Sequence, residues 1–297
     1  MKILVFGSDG FIGRNVCKEL KMSHEVIEAN KNNTVGDNRI QVNLIDKDSV
    51  AGAINNTHPE VIINCAGVVN TDSDVDLNVE FTKNILEHAV KVDSVRKVVI
   101  CGSASEYGLV DIKNIPVDEN TPLNASSGYG LSKLKEEQLA LRYQKSGKIN
   151  VLVLRIFNPI GVGMADRFLL MSLLHQIKDC RLGQKNTIEI SRLDSARDYI
   201  SIADVAVAFR LVVEGDPQQS VYNVGSGDST TNEKLLELML KNSKLENRPK
   251  IIQVMDKPEP LVASQADITR ISDEFGWRAV CIIDETVEEI CSYEDRE

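Results

Sequence analysis

Residues 2–13 read Lys2-Ile3-Leu4-Val5-Phe6-Gly7-Ser8-Asp9-Gly10-Phe11-Ile12-Gly13, and this stretch decides the fold. A short apolar run of strand character ends at a G-x-x-G-x-x-G turn, and an amphipathic segment over 11–22 starts at once. Strand, glycine turn and helix in that order open a βαβ unit. The glycines permit a tight turn and close backbone approach. The helix N-terminus aims unpaired N–H groups and the positive end of its dipole at an anion such as a pyrophosphate. Gly7, Asp9, Gly10, Phe11, Ile12 and Gly13 are therefore the first candidate ligand-binding residues. The spacing differs from the commoner G-x-G-x-x-G, and an ordinary glycine-rich strand-to-helix turn is the alternative.

Outward from this turn, residues 24–29, 39–44, 60–66, 97–102 and 149–156 are expected strands, and 46–56, 76–92 and 128–146 expected helices. Such alternation predicts an α/β fold: a Rossmann-type, doubly wound parallel sheet with helices on both faces. After about residue 158 Pro, Gly and Asp interrupt the pattern; a further helix is expected near 284–293, and strands at 197–201 and 220–224 that rejoin the first domain. The resulting division is 1–158 plus about 195–228 as a dinucleotide-binding domain, with about 159–194 plus 229–297 as a smaller, interleaved substrate domain.

Composition narrows the function. The chain of 297 residues can bury a large core without staples. Its six cysteines form no C-x-x-C pair and its four histidines no ligand spacing, so no metal site is expected. Reduced thiols, a strand starting directly after Met1 and no apolar run of membrane length lead to the expectation of a cytoplasmic protein. A formal charge of −10 argues against nucleic acid as a partner.

At the end of the second strand the chain reads Glu28-Ala29-Asn30-Lys31, where NAD enzymes place an acid on the ribose hydroxyls. An amide followed by an ammonium tolerates a 2′-phosphate, so NADP(H) is expected over NAD(H); a solvated turn lysine is the alternative. Asn43-Leu44 and Asn64-Cys65-Ala66-Gly67 close the third and fourth strands, where such sheets touch adenine and its ribose. The chemical centre is Tyr129-Gly130-Leu131-Ser132-Lys133: spacing of four puts phenol and ammonium on one helix face. The cation is expected to lower the tyrosine pKa by about 1 to 3 units, and Lys133 can also hold ribose hydroxyls. Ser103, at the end of the fifth strand, can bond a substrate carbonyl beside Tyr129 and complete a Ser-Tyr-Lys set; a turn that satisfies backbone groups is the other reading.

Glycine turn, serine and Tyr-Lys pair in this order resemble the extended short-chain dehydrogenases/reductases, the epimerase, dehydratase and reductase group. Asn78-Val79 with Asn84, Arg155-Ile156-Phe157-Asn158-Pro159, Arg197-Asp198-Tyr199-Ile200 with Asp204, and Tyr222-Asn223-Val224-Gly225 extend the likeness across nearly the whole chain. The resemblance implies a nucleotide-diphosphate sugar as substrate, touched by Asn158 and gripped at its diphosphate by Arg197, which otherwise would pair with Asp198 or Asp204; Ile156 falls beside the cofactor. Dehydratases of this group place an acidic pair before the Tyr-Gly step, whereas this chain has Ala104 and Ser105. Gly102 to Gly108, Arg155 to Asn158 and Arg167-Phe168 are most similar to the GDP-4-keto-6-deoxy-mannose reductases and related 4-ketoreductases. The reading is thus hydride reduction at C4 of a 4-keto-6-deoxy-hexose, with Tyr129 as proton donor, Ser103 orienting the carbonyl and Ser105 assisting. A 4-epimerase with retained NAD, or a non-catalytic dinucleotide sensor or scaffold, are the alternatives. Where relatives carry Arg-Pro-Gly this chain has Lys257-Pro258-Glu259-Pro260, so Lys257 would be a point-charge phosphate contact. Thr71 to Asp76 is a shorter loop than in many relatives. Helices 76–92 and 128–146 correspond to a pair that builds a dimer interface in this family, so a homodimer is expected, with intramolecular packing as the alternative.

Overall fold

The computed structural model describes residues 1–32, 36–69, 77–254 and 263–294. The first half alternates strand and helix except where β3 follows β2 directly: β1 (Lys2–Phe6), α1 (Phe11–Leu20), β2 (Glu25–Asn30), β3 (Arg39–Gln41), α2 (Lys47–Thr57), β4 (Val61–Asn64), α3 (Leu77–Ala89), β5 (Lys97–Ser103), α4 (Gly128–Lys145) and β6 (Asn150–Ile156). The second half runs β7 (Asn158–Ile160), α5 (Leu169–Arg181), β8 (Thr187–Ile190), β9 (Ala196–Arg197), β10 (Tyr199–Ser201), α6 (Ile202–Glu214), β11 (Val221–Val224), β12 (Thr230–Thr231), α7 (Asn232–Lys241), β13 (Lys250–Gln253), α8 (Thr269–Phe275) and α9 (Ile283–Glu294).

Seven strands form one sheet in the order β11-β6-β5-β4-β1-β2-β3, every pairing parallel. Parallel neighbours need crossovers, which put helices on both faces and explain why the central strands read as unbroken apolar runs. Ile3, Val5, Ile63, Val99 and Leu154 face α1 and α6 on one side. Leu4, Ile62, Val98, Ile100 and Val153 face the opposite layer, with Val50 and Ile54 of α2 and Ile85 and Leu86 of α3. The chain moves outward from β1 to β3 and then returns to place β4 on the other side of β1. That reversal opens a crevice at the C-terminal ends of β1 and β4, the place where open α/β sheets take ligands.

A separate apolar cluster joins Leu170, Leu173 and Ile177 of α5, Ile188 of β8, Leu235 and Met239 of α7, and Val287 and Ile290 of α9. β11 joins the main sheet beside β6, as expected for 220–224. The segment 197–201 is also extended, but outside the main sheet: β10 pairs with β7 and β9 pairs antiparallel with β12, each in a two-stranded sheet of its own. The reason lies at Asp198, between β9 and β10, whose buried carboxylate accepts from the backbone N–H groups of Ser226 (2.7 Å), Gly227 (3.1 Å) and Ala266 (2.9 Å) and from the Ser226 hydroxyl (2.7 Å). Those bonds fix the segment against the loop after β11 and away from the main sheet.

Candidate functional site

The glycine turn has the shape its sequence anticipates. Gly7 adopts φ +73°, and a Cβ there would lie 2.5 Å from the Ala66 nitrogen at the end of β4. A Cβ on Gly13 would lie 2.1 Å from the Gly7 carbonyl oxygen, so α1 packs against the turn at a distance only glycine allows. Gly10 caps α1 with extended backbone and no side-chain hydrogen bond, which leaves the first-turn N–H groups facing the crevice. Asp9 is exposed, and Phe11 and Ile12 are half-buried against the core. This cradle and donor set suit the pyrophosphate of a dinucleotide.

Asn30, the last residue of β2, is buried, with its amide 3.5 Å from the Ser8 hydroxyl. Lys31 is exposed next to it and lines a cavity of about 330 Å³ with Gln41, Asn43 and Ser49. The Ser49 hydroxyl accepts from the Asn43 N–H at 3.1 Å, and the Leu44 carbonyl accepts from Asn84 at 2.8 Å. The expected adenine-side residues therefore meet at one end of the crevice. Past β4, the Asn64 side chain accepts from the Ala66 N–H at 3.1 Å, and Asn78 both accepts from and donates to the Val68 backbone, at 2.8 and 3.0 Å. Cys65, Ala66 and Gly67 are held along the crevice wall by these bonds.

At the other end, β5 stops at Ser103, opposite Ile156 of β6 in register. Ser103 opens a capping box: its side chain accepts from the Ser105 N–H, and Glu106 accepts from the Ser103 N–H at 2.7 Å. The Ser105 hydroxyl donates to the Ser103 hydroxyl at 2.8 Å. The Ser103 side chain also lies near enough to the Tyr129 phenol to oppose the upward shift of its pKa. The structure thus brings Ser103, Ser105, Tyr129 and Lys133 into one continuous line of polar groups.

The electrostatics differ from expectation. Burial pushes the Tyr129 phenol above its ordinary value, and the opposing effect of Lys133 does not overcome it. Lys133 is only 4 % exposed and forms a short ion pair with Glu136, itself 1 % exposed. Burial alone would lower the Lys133 ammonium, but Glu136 and Tyr129 hold it well above the usual lysine range. Glu136 was not among the residues the motifs brought out. Its signal was helical phase: Tyr129, Lys133 and Glu136 stand at i, i+4 and i+7 on one face of α4. The Glu136 carboxylate also accepts from Thr82 at 2.5 Å and Asn64 at 3.3 Å.

A second buried network lies beneath Ser103. Arg155 of β6 makes a two-pronged contact with Glu137, at 2.8 and 2.6 Å, and donates to the Tyr107 hydroxyl at 2.9 Å. Tyr107 in turn donates to Asn223 of β11 at 2.7 Å. Glu106, fully buried, has its carboxyl pushed well above the usual range, by burial first and the adjacent Glu137 second.

The expected substrate residues are more dispersed. Asn158 opens β7 and donates its amide to the Asp198 carbonyl at 2.9 Å. Arg197 is half-buried, and its charge opposes the upward shift that burial gives the Tyr199 phenol. The alternative ion pairs for Arg197 are not formed, because the carboxylate of Asp198 is taken up by the N–H groups described above and that of Asp204 by the Val280 and Cys281 N–H groups, at 3.2 and 3.0 Å. Arg167 is exposed and lies 4.9 Å over the Phe168 ring. Lys257 and the loop 71–76 lie outside the described residues. Among the described residues no cluster of three His, Cys, Asp or Glu could hold a metal, and no helix is long and apolar enough to cross a membrane.

A doubly wound sheet with a glycine cradle at its switch point and a Ser-Tyr-Lys line beside it defines a dinucleotide-dependent class of α/β protein. The chain belongs to the NAD dependent epimerase/dehydratase family, whose description matches residues 3–225. It is 24 % identical to the GDP-6-deoxy-D-mannose reductase of Pseudomonas aeruginosa, over 98 % of this chain and 96 % of that one. It is 26 % identical to the UDP-glucose 4-epimerase of Bacillus subtilis, over 94 % and 92 % of the two chains. Among solved structures, RMD from Pseudomonas aeruginosa complexed with NADPH superposes with a TM-score of 0.86 at 26 % identity, over 100 % of this chain and 98 % of that one.

Proposed function

We propose that the protein reduces the C4 keto group of a nucleotide-linked 4-keto-6-deoxy-hexose, with NADP(H) favoured and NAD(H) possible as cofactor. The observation that carries this reading is the placement of the Tyr129 phenol beside Ser103 at the strand ends and the Lys133 ammonium on its own helix. A reductase needs a proton donor there, because the keto oxygen becomes an alkoxide as the carbon is reduced. The bound nicotinamide supplies the hydride. Ser103, supported by Ser105, orients the keto oxygen, and Tyr129 gives up its proton to it. The resulting phenolate lies beside the Lys133 ammonium. Ala104 and Ser105 at the positions of a dehydratase's acidic pair, and the likeness to a GDP-6-deoxy-D-mannose reductase, support the same direction. The equally extensive likeness to a UDP-glucose 4-epimerase supports a second reading, in which the same residues oxidise and re-reduce C4 around a retained NAD.

The test is oxidation of NADPH and NADH against GDP-, dTDP-, UDP- and CDP-linked 4-keto-6-deoxy sugars. Turnover with one nucleotide series is the expected result. Silence toward all of them, with interconversion of unreduced nucleotide sugars by enzyme carrying NAD, selects the epimerase. Replacing Lys31 by Ala is expected to cut the preference for NADPH over NADH by about tenfold, the worth of one point-charge phosphate contact. An unchanged ratio removes Lys31 from the phosphate site.

A further inference from the structure

We infer that Glu136 is a positioning residue for the Tyr129–Lys133 pair: its carboxylate holds the Lys133 ammonium on the inner face of α4 and neutralises it there, so that less of the ammonium's charge acts on the Tyr129 hydroxyl. The direction of proton transfer rests on the ketoreductase reading. The coupling of Glu136 to Tyr129 does not.

The geometry begins with the phase of α4. One helix face carries phenol, ammonium and carboxylate in succession, with Lys133 and Glu136 buried and Tyr129 half-buried at its start. Lys133 donates to one Glu136 oxygen; Thr82 of α3 and Asn64 of β4 donate to the other. Three donors from three elements hold this carboxylate in place, which matches what an ionised carboxylate accepts. Asn64 connects the arrangement to the crevice wall, since its side-chain oxygen accepts from the Ala66 N–H. The carboxylate is thus built into the floor of the site and is not a surface group folded over it.

Charge then decides what the pair does. With Glu136 present, Lys133 and its partner are neutral as a unit, and ionising Tyr129 would set a second anion against one ammonium in a desolvated space. Without the carboxylate, the ammonium would have only the phenol to stabilise. The other titratable groups around the pair do not offset this. Cys101 of β5 is pushed up to about 11 by burial, Cys17 of α1 to about 12, and Cys65 after β4 well above 9.0, so these thiols are neutral near pH 7. Glu106, under Ser103, is kept protonated by burial and by Glu137, whose own carboxylate is taken up by Arg155. Ser103, Ser132 and Asn78 carry no charge. Of the groups facing Tyr129 and Lys133, Glu136 is the anion in direct contact with the ammonium.

The proton step is simple to balance. The Tyr129 O–H bond breaks, the proton passes to the substrate oxygen, and the electron pair stays on the phenolate. Glu136 neither gives nor receives that proton.

The test reads Tyr129 directly and needs no substrate. The tyrosinate absorbance of the wild-type protein minus that of Tyr129→Phe gives the titration of Tyr129 alone; the same difference is then taken in a Glu136→Gln background. The expected result is a Tyr129 midpoint lower by about 1 to 2 pH units in Glu136→Gln. Glu136→Asp keeps the charge one methylene further from Lys133 and is expected to lower the midpoint by a smaller amount; it also serves should the glutamine variant not fold. A Tyr129 midpoint at the wild-type value in either folded variant overturns the inference and leaves Glu136 a packing residue. If the midpoint falls while no keto sugar is reduced, the coupling stands and the ketoreductase reading fails; if a keto sugar is reduced while the midpoint stays, the reverse holds. With a substrate in hand, the alkaline limb of the kcat/KM profile should move down by the same interval in Glu136→Gln.

Discussion

Tyr129 is asked to be an acid in a place where burial already favours its protonated form. Removing the hydroxyl tests that role with little disturbance of shape. Tyr129→Phe is expected to lower turnover by about 10²- to 10⁴-fold, the worth of a placed general acid, while leaving dinucleotide binding within about twofold. Turnover at the wild-type level would take the proton-donor role from this residue. Glu106 offers a test by stability. Its carboxyl is pushed well above 4.5 by burial first and Glu137 second, so the folded chain keeps a proton that the unfolded chain releases. The stability this contributes is complete below about pH 4.5 and is lost as pH rises through the raised folded value. Urea midpoints are therefore expected to fall as pH rises above about 4.5 more steeply in the wild type than in Glu106→Gln, which keeps an oxygen for the Ser103 N–H. Parallel slopes for the two proteins would contradict the shared burial of Glu106 and Glu137.

At the scale of single elements, α1 depends on its glycines. Gly13→Ala places a methyl 2.1 Å from the Gly7 carbonyl oxygen. It is expected to cost about 1 to 3 kcal/mol in stability and to weaken dinucleotide binding by more than about tenfold, measured by chemical unfolding and by nicotinamide fluorescence. Binding at the wild-type level would mean the turn is not the pyrophosphate site. The strands and helices of the first half were legible because each crossover alternates a buried apolar run with an amphipathic one. α6 was not, since Ile202, Val205, Ala206, Ala208, Phe209, Val212 and Val213 are all buried and its apolar surface leaves little period to detect. α4 misled in another way. Its inner face holds Ser132, Lys133, Glu136 and Glu137, while Leu131 is 41 % exposed, so the hydrophobic pattern gave no hint that the charged side faces the sheet. Ser103, Tyr129 and Lys133 were readable as a motif because their spacing is local. The partners that set their charge come from α3, β4 and the far end of the same helix, and only the folded chain brings these together. For the same reason the reversal of the Tyr129 shift could not be anticipated: sequence spacing reveals the nearby cation, and burial is a property of the fold.

For the molecule as a whole, α3 and α4 lie side by side on one layer, with Leu131 exposed and Val79 and Leu134 half-buried. A homodimer through this pair of helices is the expected state, and sedimentation across a concentration series should give twice the chain mass of 32.9 kDa. A single-chain mass at every concentration would leave these helices with intramolecular packing alone. The bonds gathered by Asp198 bear on how this protein can be divided. They tie residue 198 to 226–227 and to 266, and Trp277 of the following segment is buried with its ring N–H on the Asp204 carbonyl at 3.2 Å. A fragment cut at the end of the family match, residue 225, would keep the glycine cradle and every residue of the Ser-Tyr-Lys line. It would also strip a buried carboxylate of its amides and α6 of its cover. The unit of inheritance marked by the family and the unit that folds are therefore different lengths of chain, and any transplant of this site onto another scaffold has to carry the C-terminal seventy-odd residues with it.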